Sequence, residues 1–425
     1  MSENPTARTI SQRPGRGDLV ELRVERLAHG GEGIAELDGR VVFVAGAWPG
    51  DTVTARLTQV KKSFARGQLI DVVVPGDLRV ESTCPAAAAG AGCCDFATLD
   101  PAKETVLKEG VLVDQLRRIG KLESLPEAEL IDVEPHRGWR TRVRLGVDAE
   151  GRAGLRKRGS HDLVTDVACT QLVPGLVDGL VGPNARRFTP GAEVVAVLDS
   201  TGQRHVVETR KAPRGRRVEH IEEALEGSGT VVERADGREF RFPATAFWQA
   251  HVDAPDTYTE LVRRWLAEGS GAATETGTKP GVGWDLYGGV GVFVPALADA
   301  VGGEVVSVDY SPAATAAEQL SLKDYDVRVV SDRVERVAAQ LPKPAAVVLD
   351  PPRAGAGADV VATVAAAAPG CVIHVGCDPA TFARDLAAWE QGGYAIERLA
   401  VINAFPGTHH MEAVALLLPA LGAQS

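Results

Sequence analysis

The stretch Cys371-Val372-Ile373-His374-Val375-Gly376-Cys377-Asp378-Pro379-Ala380-Thr381 decides how the chain is read. Its apolar run predicts a buried strand, and the residues around Gly376 and Asp378-Pro379 a tight turn. A helix then begins around Thr381-Phe382-Ala383-Arg384-Asp385. A cysteine at the carboxyl end of such a strand stands where open α/β sheets keep their reactive groups. Cys377 is therefore read as a nucleophile, and Cys371, on the same strand, as a core thiol.

Outward from that stretch the chain alternates strand and helix. Gly283-Trp284-Asp285-Leu286-Tyr287, Glu304-Val305-Val306-Ser307-Val308-Asp309, Val327-Arg328-Val329-Val330 and Ala345-Ala346-Val347-Val348-Leu349-Asp350 predict strands, with helices over 292–300 and 312–320. This alternation predicts a Rossmann-like, doubly wound α/β sheet. The turn Gly288-Gly289-Val290-Gly291 lets a ligand approach the backbone, and Asp309, ending the second strand, suits a ribose diol. Val294 stands where a dinucleotide fingerprint needs its third glycine. With Asp350-Pro351-Pro352 present as well, the ligand is read as S-adenosylmethionine rather than NAD.

The thiol narrows the chemistry. Arg353 stands where methyltransferases of exocyclic base amines usually carry a stacking aromatic. Carbon 5 of uracil is a poor nucleophile, but a thiolate added at carbon 6 turns the ring into an enolate that can attack a methyl group. A base must then remove the carbon-5 proton so that the thiol can leave. A free thiol with a pKa of about 8.5 needs activation, and the following helix N-terminus is expected to supply it. The base is sought in Phe405-Pro406-Gly407-Thr408-His409-His410-Met411-Glu412. Glu412 is the preferred candidate, with His409 and His410 as rivals.

The N-terminal half reads differently. Residues 1–16 are polar and expected to be disordered. Residues 17–77 carry short strands closed by glycine turns, a pattern for a small barrel of about five strands. Lys61, Lys62 and Arg66 are expected in a loop beside Phe64, as phosphate contacts beside a stacking ring. Residues 78–245 form a strand-rich central domain that opens with a helix near 101–120 and a linker over 126–135, and 246–425 the methyltransferase domain. Trp139-Arg140-Thr141-Arg142-Val143-Arg144-Leu145-Gly146-Val147 alternates, with its arginines on one face. Arg156-Lys157-Arg158 and the basic residues of 210–217 repeat the charge, which predicts a phosphate-binding face. A Gly/Thr-rich loop is expected over 267–280. Cys84, Cys93, Cys94 and Cys169 are candidate ligands of an iron–sulfur cluster; zinc has less support, because no CxxC or CxxH spacing occurs.

A net charge of −11 argues against a wholly basic RNA-coating protein but leaves room for local basic patches. The sequence shows no membrane span and no signal peptide, and six cysteines in so long a chain do not make a disulfide framework. A reducing cytoplasm is the expected compartment, and a monomer the expected state.

These residues resemble the 5-methyluridine RNA methyltransferase family, the bacterial rRNA and tRNA uracil-5 enzymes, over nearly the whole chain. The residues 17–77 resemble the TRAM domain, an OB-like RNA-binding barrel, through Gly30-Gly31-Glu32-Gly33-Ile34-Ala35 and Pro49-Gly50-Asp51. Further matches are Phe247-Trp248-Gln249, Asp285-Leu286-Tyr287-Gly288-Gly289-Val290-Gly291, Asp350-Pro351-Pro352-Arg353, Cys377-Asp378-Pro379-Ala380-Thr381 and Phe405-Pro406 through Glu412. The resemblance implies that Gln249, Tyr287, Asp309 and Asp350 contact S-adenosylmethionine, that Cys377 is the nucleophile and Glu412 the base, and that the four cysteines are the place of a [4Fe-4S] cluster. It implies rRNA or tRNA as the partner. Three departures stand out: Gly288 where the family usually has Cys, Asp378 where it has Asn, and Asn403 where it has Asp. Cys93 and Cys94 are adjacent, whereas the family separates its second and third thiols. The rival readings are a cytosine-5 RNA methyltransferase and an RNA-binding factor whose methyltransferase domain is inactive.

Overall fold

The computed structural model describes residues 14–214, 217–274, 280–311 and 319–420. Residues up to Glu81, with Thr98–Asp100, form one compact unit; Ser82–Ala97 and the chain from Pro101 form the other.

The first unit is a closed barrel of β1 (Leu19–Leu27), β2 (Glu32–Leu37), β3 (Arg40–Ala45), β4 (Thr52–Val60) and β5 (Phe64–Val74), in the order β1-β2-β3-β5-β4. Alternate residues turn inward, so Leu22, Val24, Val42, Val44, Val53, Ala55 and Ala65 fill the interior. The Pro49-Gly50-Asp51 turn is locked by its acid. Asp51 is buried, accepts from the backbone N–H of Trp48 at 2.7 Å and of Gly76 at 2.9 Å, and pairs with Arg79 at 2.6 Å. Phe64 and Arg66 lie on β5, not in the loop expected for them. The parallel pairing of β3 with β5 draws both into the sheet, where Arg66 stacks on Phe43 and bonds Glu32.

The second unit is built on an eight-stranded sheet in the order β17-β16-β15-β18-β19-β21-β20-β6. Its strands are β6 (Ala128–Asp132), β15 (Gly283–Leu286), β16 (Val305–Val308), β17 (Val327–Val330), β18 (Ala346–Leu349), β19 (Cys371–Gly376), β20 (Tyr394–Asn403) and β21 (Glu412–Pro419). β15, β16, β18 and β19 are buried at every residue, as parallel strands covered on both faces must be. The helices fall into two packed groups. α3 (Ala254–Thr274) packs with α4 (Val294–Val301), and α7 (Pro379–Gln391) packs with α2 (Glu104–Arg118) and α6 (Ala358–Ala366). A single turn, α5 (Val334–Val337), follows β17, and another, α1 (Pro85–Ala88), follows Cys84.

The central residues form a six-stranded antiparallel sheet, β12-β11-β10-β7-β8-β9, and a hairpin. The sheet comprises β7 (Arg142–Val147), β8 (Ala153–Arg156), β9 (Leu163–Val164), β10 (Glu193–Leu198), β11 (Arg204–Arg214) and β12 (Arg217–Glu226). The hairpin is β13 (Thr230–Ala235) with β14 (Arg238–Pro243).

Several local expectations change. The stretch 126–135 is not a linker: its backbone pairs in parallel with β20 as β6, so α2 and β6 belong to the catalytic sheet. The loop expected from 267 is helical to Thr274, as the continuation of α3, whose Trp265 and Leu266 sit in the core. The helix expected over 312–320 falls largely outside the described residues, as do residues 1–13 of the polar N-terminus. The arginine face of β7 is not one open surface. Arg142 turns inward to Glu233 at 3.0 Å and to the Ala246 carbonyl, while Arg144 and Arg156 both reach Glu193. Among the described residues no helix is long and apolar enough to cross a membrane.

Candidate active site

Strand pairing brings Cys377 and Glu412 to one end of the sheet. In the antiparallel ladder of β19 with β21, Gly376 faces Ala413. The ladder ends there, with Cys377 next on one strand and Glu412 next on the other, and the Glu412 charge acts on the Cys377 thiol. Cys377 lies at the turn between β19 and α7, half-buried. Glu412 is only 6% exposed, and its Oε2 is buried without a hydrogen-bond partner. Asp350, at the end of β18, completes the group from the neighbouring strand.

The electrostatics follow from burial. The Cys377 thiol is pushed up to about 12 by desolvation, then by the charges of Glu412 and Asp350, against a smaller opposing pull from Arg353. Burial raises Asp350 to about 7 and lifts Glu412 well above the carboxylate range, the latter with help from Asp350. The thiol is therefore not lowered by the α7 N-terminus as expected. Asp378 takes that N-terminus for itself, accepting from Ala380 N at 3.1 Å and Thr381 N at 2.9 Å. Arg353 is the nearby cation; its guanidinium lies 3.0 Å from His410 Nδ1. His410, lowered to about 4 by burial and then by His409 and Arg353, is neutral near pH 7.

Of the other predicted residues, Asp309 and Tyr287 lie at the ends of β16 and β15, whereas Gln249 precedes α3. Asp309 Oδ2 accepts from Gly289 N at 3.0 Å, so the ribose acid and the glycine turn share one edge. Tyr287 adopts a left-handed φ of 62°, sparsely populated for a non-glycine residue, immediately before that turn. Its hydroxyl reaches Glu335 at 3.4 Å. Gln249 is half-buried beside Trp248, which packs on Phe240 and Phe242. Phe247 is 78% exposed.

Residues 15–70 match the TRAM domain, and residues 311–419 match the family described as tRNA (Uracil-5-)-methyltransferase. An uncharacterized RNA methyltransferase of Corynebacterium efficiens is 56% identical over 94% of this chain and 94% of its own length. The 23S rRNA (uracil(1939)-C(5))-methyltransferase RlmD of Methylococcus capsulatus is 30% identical over 95% of this chain and 98% of its own. The chain belongs to the RNA uracil-C5 methyltransferase family. It is an S-adenosylmethionine-dependent enzyme of RNA uracil-5 methylation. The solved tRNA (uracil-54, C5)-methyltransferase of Pyrococcus abyssi, in complex with S-adenosyl-L-homocysteine, shares the fold, with a TM-score of 0.68 over 94% of this chain and 100% of that one at 20% identity.

The methyltransferase explains its own three departures. A Cβ on Gly288 would meet Asp285 Oδ2 at 2.1 Å and Ser307 Oγ at 2.6 Å, so a cysteine there needs both side chains to shift. Asp378 caps α7, a task asparagine performs equally well. Asn403 donates from Nδ2 to Asp132 Oδ1 at 2.8 Å while its Oδ1 accepts from Lys108 Nζ. An aspartate there would set one carboxylate against another.

Other residues of the methyltransferase site carry no motif in the sequence. Tyr258, on α3, buries a hydroxyl that has no partner, and its pKa is raised by that burial and by Glu412, Asp350 and Cys377 around it. Lys108 and Glu104, on α2, brace the loop that leads to Glu412. Lys108 donates to the Phe405 carbonyl at 3.3 Å, and Glu104 accepts from Gly407 N at 2.9 Å. Asp385 holds the loop after Arg353 through Ala356 N at 2.7 Å and Gly357 N at 3.1 Å. The signal that could have found Lys108 and Glu104 is their i,i+4 spacing inside an otherwise apolar helix face.

The four cysteines also converge. Cys84, Cys93, Cys94 and Cys169 place their sulfurs within 4.8 Å of one another, inside the core of the central residues. Cys371 is a core thiol packed against Gly269, as expected.

Proposed function

We propose that this enzyme methylates carbon 5 of a uridine in structured ribosomal or transfer RNA through a covalent Cys377 adduct, with Glu412 as the base. The observation that carries the reading is the end of the β19–β21 ladder, where Cys377 and Glu412 each adjoin the last pair, with Asp350 at the end of the next strand and both carboxylates acting on the thiol. Bound S-adenosylmethionine supplies an electrophilic methyl group; Asp309 and the Gly288–Gly291 turn would hold its ribose, with Gln249, Tyr287 and Asp350 as further contacts. Cys377 adds as thiolate to carbon 6 of the flipped uracil. The enolate so formed would take the methyl group that bound S-adenosylmethionine supplies. Glu412 then takes the carbon-5 proton, and the thiolate is expelled as the 5,6 double bond re-forms. A protonated Cys377 in the ligand-free enzyme fits this order. Before it adds, the thiol passes its proton to solvent, and Arg353 is the cation that favours the thiolate against the two carboxylates.

Two surfaces support RNA as the partner. On the barrel, Phe43 and Phe64 meet edge to face at 6.2 Å, with Arg66 over Phe43. In the central sheet a cleft of about 750 Å³ is lined by Arg144, Arg156, Arg210, Lys211, His161 and His220, with Glu193 and Glu222 among them; its basic excess suits a phosphate backbone once the Glu193 pairs to Arg144 and Arg156 open. The 30% identity to the ribosomal RNA enzyme favours ribosomal RNA as the substrate. The test is to incubate the protein with 23S rRNA and tRNA transcripts and methyl-labelled cofactor, then to analyse nucleosides. Labelled 5-methyluridine is expected. 5-Methylcytidine, or no labelled nucleoside on any RNA, overturns the proposal.

A further inference from the structure

The geometry of the four thiols points to a different occupant from the one the family resemblance implies. We propose that Cys84, Cys93, Cys94 and Cys169 bind one zinc-class ion as a tetrahedral tetrathiolate, and that the ion fixes the loop carrying Glu412.

Separation decides between the two groups. Cys94 Sγ lies 3.2 Å from Cys169 Sγ and 3.6 Å from Cys84 Sγ; Cys84 and Cys169 are 3.7 Å apart, and no pair of the four exceeds 4.8 Å. Four thiolates at about 2.3 Å from one tetrahedral ion stand about 3.8 Å apart along every edge. A four-iron cluster gives each thiolate its own iron at a separate corner, which spreads the sulfurs to roughly 6 Å. These thiols therefore fit a single ion and do not fit the cluster. Spreading them would push Cys84, Cys94 and Cys169, each at most 6% exposed, into a close-packed core with Ala86, Leu172 and Leu176. The absence of CxxC spacing is overcome by the fold. Cys84 heads α1, Cys93 and Cys94 follow on the next turn, and Cys169 arrives from beyond β9. Backbone N–H groups already serve the sulfurs: Gln171 N donates to Cys169 Sγ at 3.5 Å, the kind of outer contact that orients metal ligands.

The same two arms grip the base loop. Phe96 N donates to the Gly407 carbonyl at 3.1 Å, and Asp95 holds His409 through both backbone and ring. From the other arm, Gln171 Nε2 donates to the Pro406 carbonyl at 2.8 Å. Residues 406–409 are thus clamped between two segments that meet at the thiols and in the core around them. Gln171 and Asp95 are positioning residues for Glu412, a role that rests on Glu412 being the base.

The full chain, expressed with both iron and zinc supplied and purified without oxygen, tests the ion independently of catalysis. Elemental analysis should find about one zinc per chain, no acid-labile sulfide and no visible absorption; cobalt substitution should give the visible bands of a tetrahedral thiolate. Iron and sulfide at about four each per chain, or folded protein without metal, overturns the ion. For the clamp, Gln171→Ala should keep its zinc and its RNA KM while kcat falls about tenfold and the covalent RNA adduct persists, the range in which outer-shell contacts act. An unchanged kcat overturns the clamp and leaves the zinc result standing.

Discussion

Two cysteine environments in this enzyme differ only in what surrounds the sulfur. Cys377 stands beside the carboxylates of Glu412 and Asp350, with Arg353 as the opposing charge. Cys94 stands among Cys84, Cys93 and Cys169. Carboxylates and burial hold a thiol protonated until a substrate changes the balance, which suits a nucleophile exposed only during turnover. Other thiols at ionic-contact distance favour shared coordination of a soft cation. A third case, Cys371, sits one strand-length away on β19 with neither partner, and is packing. The chemistry of a thiol here is a property of its neighbours.

The comparison can be broken in four ways, largest effect first. Cys377→Ala should lower turnover by at least about 10⁴-fold, as removal of a covalent nucleophile does, and prevent trapping on 5-fluorouridine RNA. A stable adduct in that variant would remove Cys377 from the mechanism. Glu412→Gln should slow turnover about 10²- to 10⁴-fold, the usual contribution of a general base, and accumulate protein–RNA adduct after methyl transfer. Fast release of methylated RNA would assign proton removal to another group.

Alkylation of Cys377 in the free enzyme should quicken about tenfold per pH unit from pH 6 to 9, because only the thiolate reacts and the thiol's pKa is raised. A plateau near pH 7, followed by mass spectrometry at that residue, would mean a thiol already activated before substrate binds. Finally, Cys371→Ala should leave turnover within about twofold and lower stability by about 1 kcal/mol, as loss of one buried sulfur does. A large drop in kcat without loss of stability would make Cys371 more than core.

Much of the catalytic domain was legible because its signals are local. Period-2 and buried runs marked the strands, and Gly288 to Gly291, Asp309, Asp350 and Cys377 each fall at a strand end that the pattern itself locates. Strand β6 escaped because Ala128–Asp132 is a short edge strand of mixed burial, with no buried residue in its pattern. The arginines of β7 misled because alternation assigns a face and is blind to what the face meets. Glu233, which takes Arg142, comes from a hairpin 91 residues away. Tyr258 gave no warning, since a helix hides one buried polar group as readily as an apolar one.

By itself, then, the amino-acid sequence determined the domain types, the methyl-donor turn, and Cys377 and Glu412 as candidates. These follow from spacing along the chain, which fixes local conformation. Only the tertiary structure decided the relations between distant residues. The β19–β21 ladder brings Cys377 near Glu412, and burial beside carboxylates raises that thiol instead of lowering it. Packing brings sulfurs 75 and 85 residues apart to within 3.2 Å and 3.7 Å. Such distances depend on how strands pair and cores close, and no local period encodes them.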